Sequence, residues 1–442
     1  AYGDFYERAM FNHILSSQHP EHGGYVYFTS ARPRHYRNYS APNMAMWCCV
    51  GTGMENHGKY GQWTWTRTKG AKASDDALYV NLFVASELNW RERGITLRQE
   101  TVFPYGETSE ISVTKGKGVF TMKIRKPAWC DRFEVKGIGF DAKQYEENGF
   151  VCINRKWKKG DRVAISMPMH GSVERMPNVP QYVAIMYGPV VLGMKAGTED
   201  LRSLIADDSR FGQYAGGKRL PLDKAPILGP KEISDIANDL RPVAGKPLHF
   251  TLATRTENAI PGGELQPFFE IHDSRYMMYW LALSDADYKA YTQRLADEEN
   301  ARQALEAATV DKVMPGEQQP ETDHRMETDN SEKGSTEGVF YRDARDGHYF
   351  SYLMQTKGAT ALTLQLTFWG QDEWRSSEFD IYIDDTLLTS VNNTHRWRTT
   401  QFKTVDYPIP ATMLEGKSEI RVKFVAHKGR QVGQIYCVRL KK

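Results

Sequence analysis

Asp76-Ala-Leu-Tyr-Val-Asn-Leu-Phe-Val84 is where the chain changes period. Leu78, Val80, Leu82 and Val84 fall on every second position, which places them on one face of a strand. The same alternation returns at Ile111 and Val113, at Met122 and Ile124, and at Val151 and Ile153. Arg155-Lys-Trp-Lys-Lys-Gly-Asp161 then reads as a turn, after which Val163 and Ile165 resume the pattern. Val183–Leu192 is a further apolar strand candidate, broken by Gly188-Pro189. Short strands with frequent turns predict an antiparallel β-sandwich over about 70–197.

Upstream of that region the period is helical. Tyr6, Met10, Phe11, Ile14 and Leu15 predict an amphipathic helix over 4–17, ended by His19-Pro20 and Gly23-Gly24. A second helix is expected from about Cys49 to Trp63, with Val50, Met54, His57 and Gly61 on one face. Gly51, Gly53, Gly58 and Gly61 lower its propensity and permit close contacts. Two such helices cannot bury both apolar faces alone, so they must pack on the β region or on something outside this chain.

Downstream, 198–283 is punctuated by Pro221, Pro226, Pro230, Pro242 and Pro247, with strands expected at 248–254 and 267–283. Ser284 and Asp287 form a capping pair for a helix running to about Val313, and Met314–Pro320 reads as a linker. Alternating runs at Phe350–Met354, Leu362–Phe368, Phe379–Ile383, Ile420–Phe424 and Ile435–Leu440 predict a separate all-β module over 321–442. That module resembles jelly-roll carbohydrate-binding domains. Trp369, Trp374 and Trp397 are either sugar platforms or covers for its core.

The 442 residues carry 57 Lys plus Arg against 55 Asp plus Glu, a balance of +2 that offers no footprint for nucleic acid. No apolar run approaches the roughly 20 residues needed to span a bilayer. The aromatic share of 12% suits both sugar-handling proteins and β-sandwich cores, so it decides neither. Five cysteines, at 48, 49, 130, 152 and 437, form no regular disulfide framework.

The most unusual local sequence is Met46-Trp-Cys-Cys-Val-Gly-Thr-Gly-Met-Glu-Asn-His57. Its adjacent cysteines are open to three readings: two small buried residues, paired metal ligands, or a vicinal redox pair. Just before a helix, either sulfur would be favoured as a thiolate by the N-terminal dipole. Two sulfurs do not complete a tetrahedral zinc site, and no second pair follows at a usual spacing. A phosphate loop is rejected, because no Gly-Lys-Ser/Thr follows Gly51 and Gly53. His13, His19, His22 and His35 have spacings that fit no metal site. Glu55 and His57 are read either as members of the cysteine pocket or as caps and surface contacts.

Several stretches in order resemble the cysteine-dependent β-L-arabinofuranosidase families of glycoside hydrolases. They are Glu7-Arg-Ala-Met-Phe-Asn-His-Ile-Leu15, Gly24-Tyr-Val-Tyr-Phe28, Trp47 to His57, Asp76 to Phe83, and Tyr182 to Leu192. Phe268 to Trp280 resembles a segment that accompanies the Cys-Cys-Val-Gly-Thr-Gly subgroup, common in gut Bacteroidetes. The resemblance implies a fold that is mainly β, with β-sandwich domains preceded by the last helices of a truncated (α/α)6 barrel. It divides the chain into 1–69 (barrel remnant), 70–197 (sandwich), 198–320 (irregular β extension with helix and linker) and 321–442 (terminal carbohydrate-binding-type sandwich).

By the same resemblance, Cys48 is the nucleophile of a retaining hydrolase of plant glycans, and Cys48 and Cys49 are zinc ligands. The remaining ligands and the acid/base belong to the family's upstream part, so the isolated chain is expected to lack turnover. Family habit implies a periplasmic or secreted protein. The alternatives are a non-catalytic carbohydrate-binding or scaffold protein of β-sandwiches, and a thiol redox or zinc-storage protein.

Overall fold

The computed structural model describes residues 2–206, 212–371 and 376–442. The chain divides into two compact units, Ala1–Ala290 and Tyr291–Lys442. Both are mainly β, as expected.

In the first unit the alternation beginning at Leu78 builds two five-stranded sheets. One orders Trp65–Thr68, Ala77–Val80, Lys117–Arg125, Phe150–Lys158 and Gln144–Glu147; the other orders Ser86–Trp90, Ile95–Thr101, Thr108–Lys115, Arg162–Ser166 and Glu134–Ile138. The inward faces meet in a core of Leu78, Val80, Ile95, Leu97, Ile111, Val113, Met122, Ile124, Val163 and Ile165. Trp157 is buried there, stacked on Phe120 at 5.6 Å, with its indole N–H donated to the Phe120 carbonyl. Ala77–Val80 runs parallel to Lys117–Arg125, so the sandwich is not purely antiparallel.

Residues 171–195, grouped above with the sandwich, hydrogen-bond instead into a ten-stranded sheet with strands from 227 to 282. Gly188-Pro189 is the turn of a hairpin between Val179–Tyr187 and Val190–Lys195, with Tyr187 opposite Val190.

The first helix, α1 (Tyr2–Ala9), widens into a π turn over Met10–Ile14 and tightens at Leu15–Ser17. Met10 and Phe11 reach the sandwich core, while the Asn12 amide bonds the Pro189 carbonyl and the Val191 N–H. The helical segment is therefore fixed to both β regions of its unit. The second expected helix is two pieces, α2 (Cys48–His57) and a short turn at Tyr60–Thr64, separated at Gly58-Lys59.

The Ser284 cap is present: its hydroxyl accepts from the Asp287 N–H and donates to the Asp287 carboxylate. The helix, Asp285–Ala308, stops five residues short of the expected end. Thr309–Val313 leaves it as a strand antiparallel to Ile435–Lys441. Residues 314–320, read as a linker, form a turn and the start of a short helix, Gln318–Asp323. Buried Glu321 in that helix pairs with Arg342 at 2.6 Å and accepts from the Tyr352 hydroxyl.

The five alternating runs of the second unit are strands, and they face each other across a core that includes Phe350, Tyr352, Leu364, Leu366, Phe379, Ile381, Val422, Phe424, Val438 and Leu440. Trp397 covers that core, stacked on Phe368 at 5.8 Å. Trp369 lies edge-on to half-exposed Phe402 at 5.0 Å, and Trp374 lies outside the described residues.

Candidate functional site

The segment leading into α2 folds back on itself as a ribbon of isolated bridges, and its one strand, Tyr39–Ser40, pairs in parallel with Ile205–Ala206. Gln18 bridges Tyr25 and Val26 bridges Tyr39, and Ser40 bonds the Tyr25 backbone through both its N–H and its hydroxyl. Tyr25 and Tyr27, two residues apart, both meet α2. Tyr25 is buried against Gly53 of α2, where an added Cβ would stand 2.5 Å from its ring. Tyr27, two residues on, meets the start of α2, and its hydroxyl lies 3.4 Å from Cys48 Sγ.

Cys48 is the first residue of α2 and is exposed, whereas Cys49 is half-buried. The two thiols are pushed in opposite directions. The Tyr27 hydrogen bond lowers the Cys48 thiol below its ordinary range, and burial raises that of Cys49. The Tyr27 phenol is pushed up to about 12, chiefly by its hydrogen bond with Cys48, so it stays a donor. The helix N-terminus favours the anion further. The pair thus presents one accessible sulfur whose thiol is lowered and one half-buried neighbour whose thiol is raised.

Glu55 and His57 do not join it. Glu55 pairs with Lys59 one turn on at 2.5 Å, at the surface. The His57 Nδ1–H donates to the Gly53 carbonyl at 2.7 Å, and the ring packs between Tyr25 and Tyr60. Met54, expected on the packed face, is exposed, and the buried positions of α2 are Val50 and Gly53. Gly51 and Gly61 have open space where a Cβ would stand.

Cys130 and Cys152 are buried in the first unit, and burial raises both thiols and that of Cys437. His19 donates to Asp273 at 3.0 Å and stacks on His22 at 3.8 Å, a packing role. Among the described residues, no group of three or more His, Cys, Asp and Glu is placed to hold a metal. Cys48 and Cys49 therefore offer half of a tetrahedral thiolate zinc site and do not close one. A surface concavity of about 810 Å³ lies on the outer face of the second sandwich sheet, lined by residues such as Glu87, Arg98 and Lys136 and by no cysteine.

Tyr27 and its neighbours Phe28 and Trp47 were not singled out from sequence. The signal for Tyr27 was the alternation in Gly24-Tyr-Val-Tyr-Phe28, once α2 was known to cover Tyr25.

An exposed sulfur at a helix start, in contact with a tyrosine hydroxyl and followed by a β-sandwich, is the arrangement along which known families match. Residues 1–62 match the family model of the β-L-arabinofuranosidase GH127 catalytic domain, and 77–169 match that of the GH127 middle domain. Residues 172–282 and 304–441 match two families of unknown function, DUF4986 and DUF6805. Over 1–62 and 77–169 the chain is therefore of GH127 type, a glycoside hydrolase family whose members are described as β-L-arabinofuranosidases.

Similar solved structures include the GH127 β-arabinofuranosidase BT3674, at 19% identity and a TM-score of 0.45, covering 64% of this chain and 46% of that one. A GH127 β-L-arabinofuranosidase from Geobacillus stearothermophilus T6 is 20% identical with a TM-score of 0.42 and the same coverage. The chain thus spans about half the length of these structures. A family 35 carbohydrate-binding module from an environmental isolate is 19% identical over 26% of this chain and 82% of that one, with a TM-score of 0.22. No curated protein matches the chain.

Proposed function

We propose that this chain is the C-terminal part of a retaining GH127 hydrolase that releases β-L-arabinofuranosyl groups from plant glycans, with Cys48 as nucleophile. The observation that carries the reading is the exposed Cys48 sulfur, hydrogen-bonded by Tyr27 at the start of α2. The thiolate attacks the anomeric carbon, the C–S bond forms, and the C–O bond to the leaving sugar breaks. The leaving oxygen takes a proton from an acid in the part of the catalytic domain that precedes these residues. Water, deprotonated by the same group, then displaces the sulfur, and two inversions give retention. Throughout, Tyr27 donates to the sulfur, which favours its anionic form before attack and after departure.

Cys48 and Cys49 are also proposed as two zinc ligands, the others lying outside this chain. The protein is proposed to act in the periplasm or outside the cell, which fractionation of the source cells would check. The test of the nucleophile is to treat the full-length protein with a haloacetamide derivative of arabinofuranose and map the adduct. An adduct on Cys48 supports the assignment, and one on another residue overturns it.

A second reading, glycan binding without catalysis, applies to the second unit, where Trp369 and Phe402 form an outward aromatic pair. Calorimetry of the full chain with plant oligosaccharides tests it. Binding lost in Trp369→Ala supports it, and absence of binding removes it.

A further inference from the structure

We propose that Tyr214, stacked on Phe28 beside the Cys48 site, determines specificity: the two rings form a platform for the six-membered sugar adjoining the arabinofuranosyl group to be released. This rests on Cys48 being the nucleophile, and it gives the region of unknown function at 172–282 a part in the site.

The rings form a chain of contacts leading outward from the sulfur. Tyr27, whose hydroxyl meets Cys48, lies 4.5 Å from Phe28 between ring centroids, and Phe28 lies 5.0 Å from Tyr214 in a stacked arrangement tilted by 27°. Phe28 is 46% exposed and Tyr214 55% exposed, so the stacked pair covers one face of each ring and leaves much of both open. Scattered single apolar residues on a surface need no explanation, but two stacked rings next to a reactive group are a binding feature. A pyranose chair presents a flat face of axial C–H bonds that suits an aromatic ring. A puckered furanose presents less. Tyr214 is two ring contacts removed from the ring that touches the sulfur, which suits it to the sugar next to the reacting one.

The chain is tied down by hydrogen bonds on both sides of Tyr214. The buried Asn38 amide donates to the Gly212 carbonyl at 2.6 Å, on one side of Tyr214. On the other side, the buried Tyr36 hydroxyl accepts from the Gly217 N–H at 2.6 Å and donates to the Arg202 carbonyl. Gly217 is required there, because a Cβ would stand 2.7 Å from the Tyr36 hydroxyl and 2.0 Å from the Asp200 carbonyl oxygen. Arg275, fully buried, donates to the Lys218 carbonyl at 2.9 Å. Tyr36 and Asn38, within the Phe28 ribbon, thus hold the chain on both sides of Tyr214.

The test uses the full-length enzyme and its Tyr214→Ala and Tyr214→Phe variants. The measured quantity is kcat/KM for an arabinofuranosyl disaccharide with a pyranose leaving sugar, divided by kcat/KM for the methyl arabinofuranoside. In Tyr214→Ala this ratio is expected to fall about tenfold, and Tyr214→Phe is expected to restore it. A ratio that does not move, including an equal fall on both substrates, overturns the proposal. Should the wild-type enzyme hydrolyse neither substrate, the hydrolase reading has failed, and calorimetric binding of the disaccharide decides the platform separately. Weaker binding in Tyr214→Ala upholds it, while equal affinity, or no binding to either protein, overturns it.

Discussion

The Arg125 guanidinium donates to the Glu7 carboxylate at 2.5 Å, inside the first unit and almost sealed from solvent. Burial raises the Glu7 carboxyl, and Arg125 together with the Trp129 indole N–H opposes the rise. Asp4 pairs with the same guanidinium at 2.8 Å. Arg125→Met leaves Glu7 without its buried partner, so it is expected to cost about 3–5 kcal/mol in urea unfolding. The double variant Glu7→Leu with Arg125→Met should recover much of that loss, since apolar packing replaces a buried ion pair well. A cost below about 1 kcal/mol for Arg125→Met would show that the pair is not structural.

Thiol exposure fixes an order of reactivity. Brief alkylation of the native chain with iodoacetamide should modify Cys48 first and Cys49 more slowly. Cys130 and Cys152, buried in the first unit, should react only on unfolding. Peptide mass mapping over a time course reads this directly. Early modification of Cys130 or Cys152 would contradict the burial that places them in the core.

Glu55 lies seven residues after the nucleophile candidate but is committed to Lys59 at the surface. In the full-length enzyme, Glu55→Gln should change kcat less than about twofold, whereas loss of a true acid/base costs about 100-fold or more. A large fall in kcat would return Glu55 to the catalytic group.

In the second unit, His324 lies 3.2 Å from Asp311. The hydrogen bond to Asp311 raises His324, and that stabilisation is lost as pH rises through the raised value. Burial raises Asp311, but its bonds from His324 and from the Gln355 N–H outweigh this and lower it. Its contribution is lost as pH falls through the lowered value. The pair therefore favours the folded state most between the unfolded values, about pH 4 to 6.5. Scanning calorimetry of the full chain should show the second unit's transition falling on the alkaline side. His324→Asn should flatten that fall, and an unchanged slope would exclude the pair as its source.

Strands were legible from sequence wherever one face of a period-two run is buried, as at Leu78 to Leu82 and in the five runs of the second unit. Helix ends were less so. The composition from Asp285 onward favours helix, but Thr309-Val-Asp-Lys-Val313 gains more as a strand beside Ile435–Lys441. In α2 the period placed Met54 inward, yet the close approach that Gly53 allows to Tyr25 turns the contact face towards Val50 and Gly53. Cys48 stood out because of its neighbour. Tyr214 did not, because its contact with Phe28 crosses most of the first unit's sequence and follows no local pattern.

Arg275 has a wider consequence. Its guanidinium is satisfied by carbonyls of Arg34, Glu199, Asp200 and Lys218, all backbone oxygens, drawn from the ribbon and from the stretch around Tyr214. The family boundaries near residues 62, 77, 169 and 172 mark where sequences can be aligned, not where the molecule can be cut. A chimera joining the first segment of one such protein to the third of another would keep Arg275 with its acceptors at Glu199, Asp200 and Lys218, and would need the new first segment to bring a carbonyl to the place of Arg34. The backbone path around Arg34, more than its sequence, is what the two segments must share.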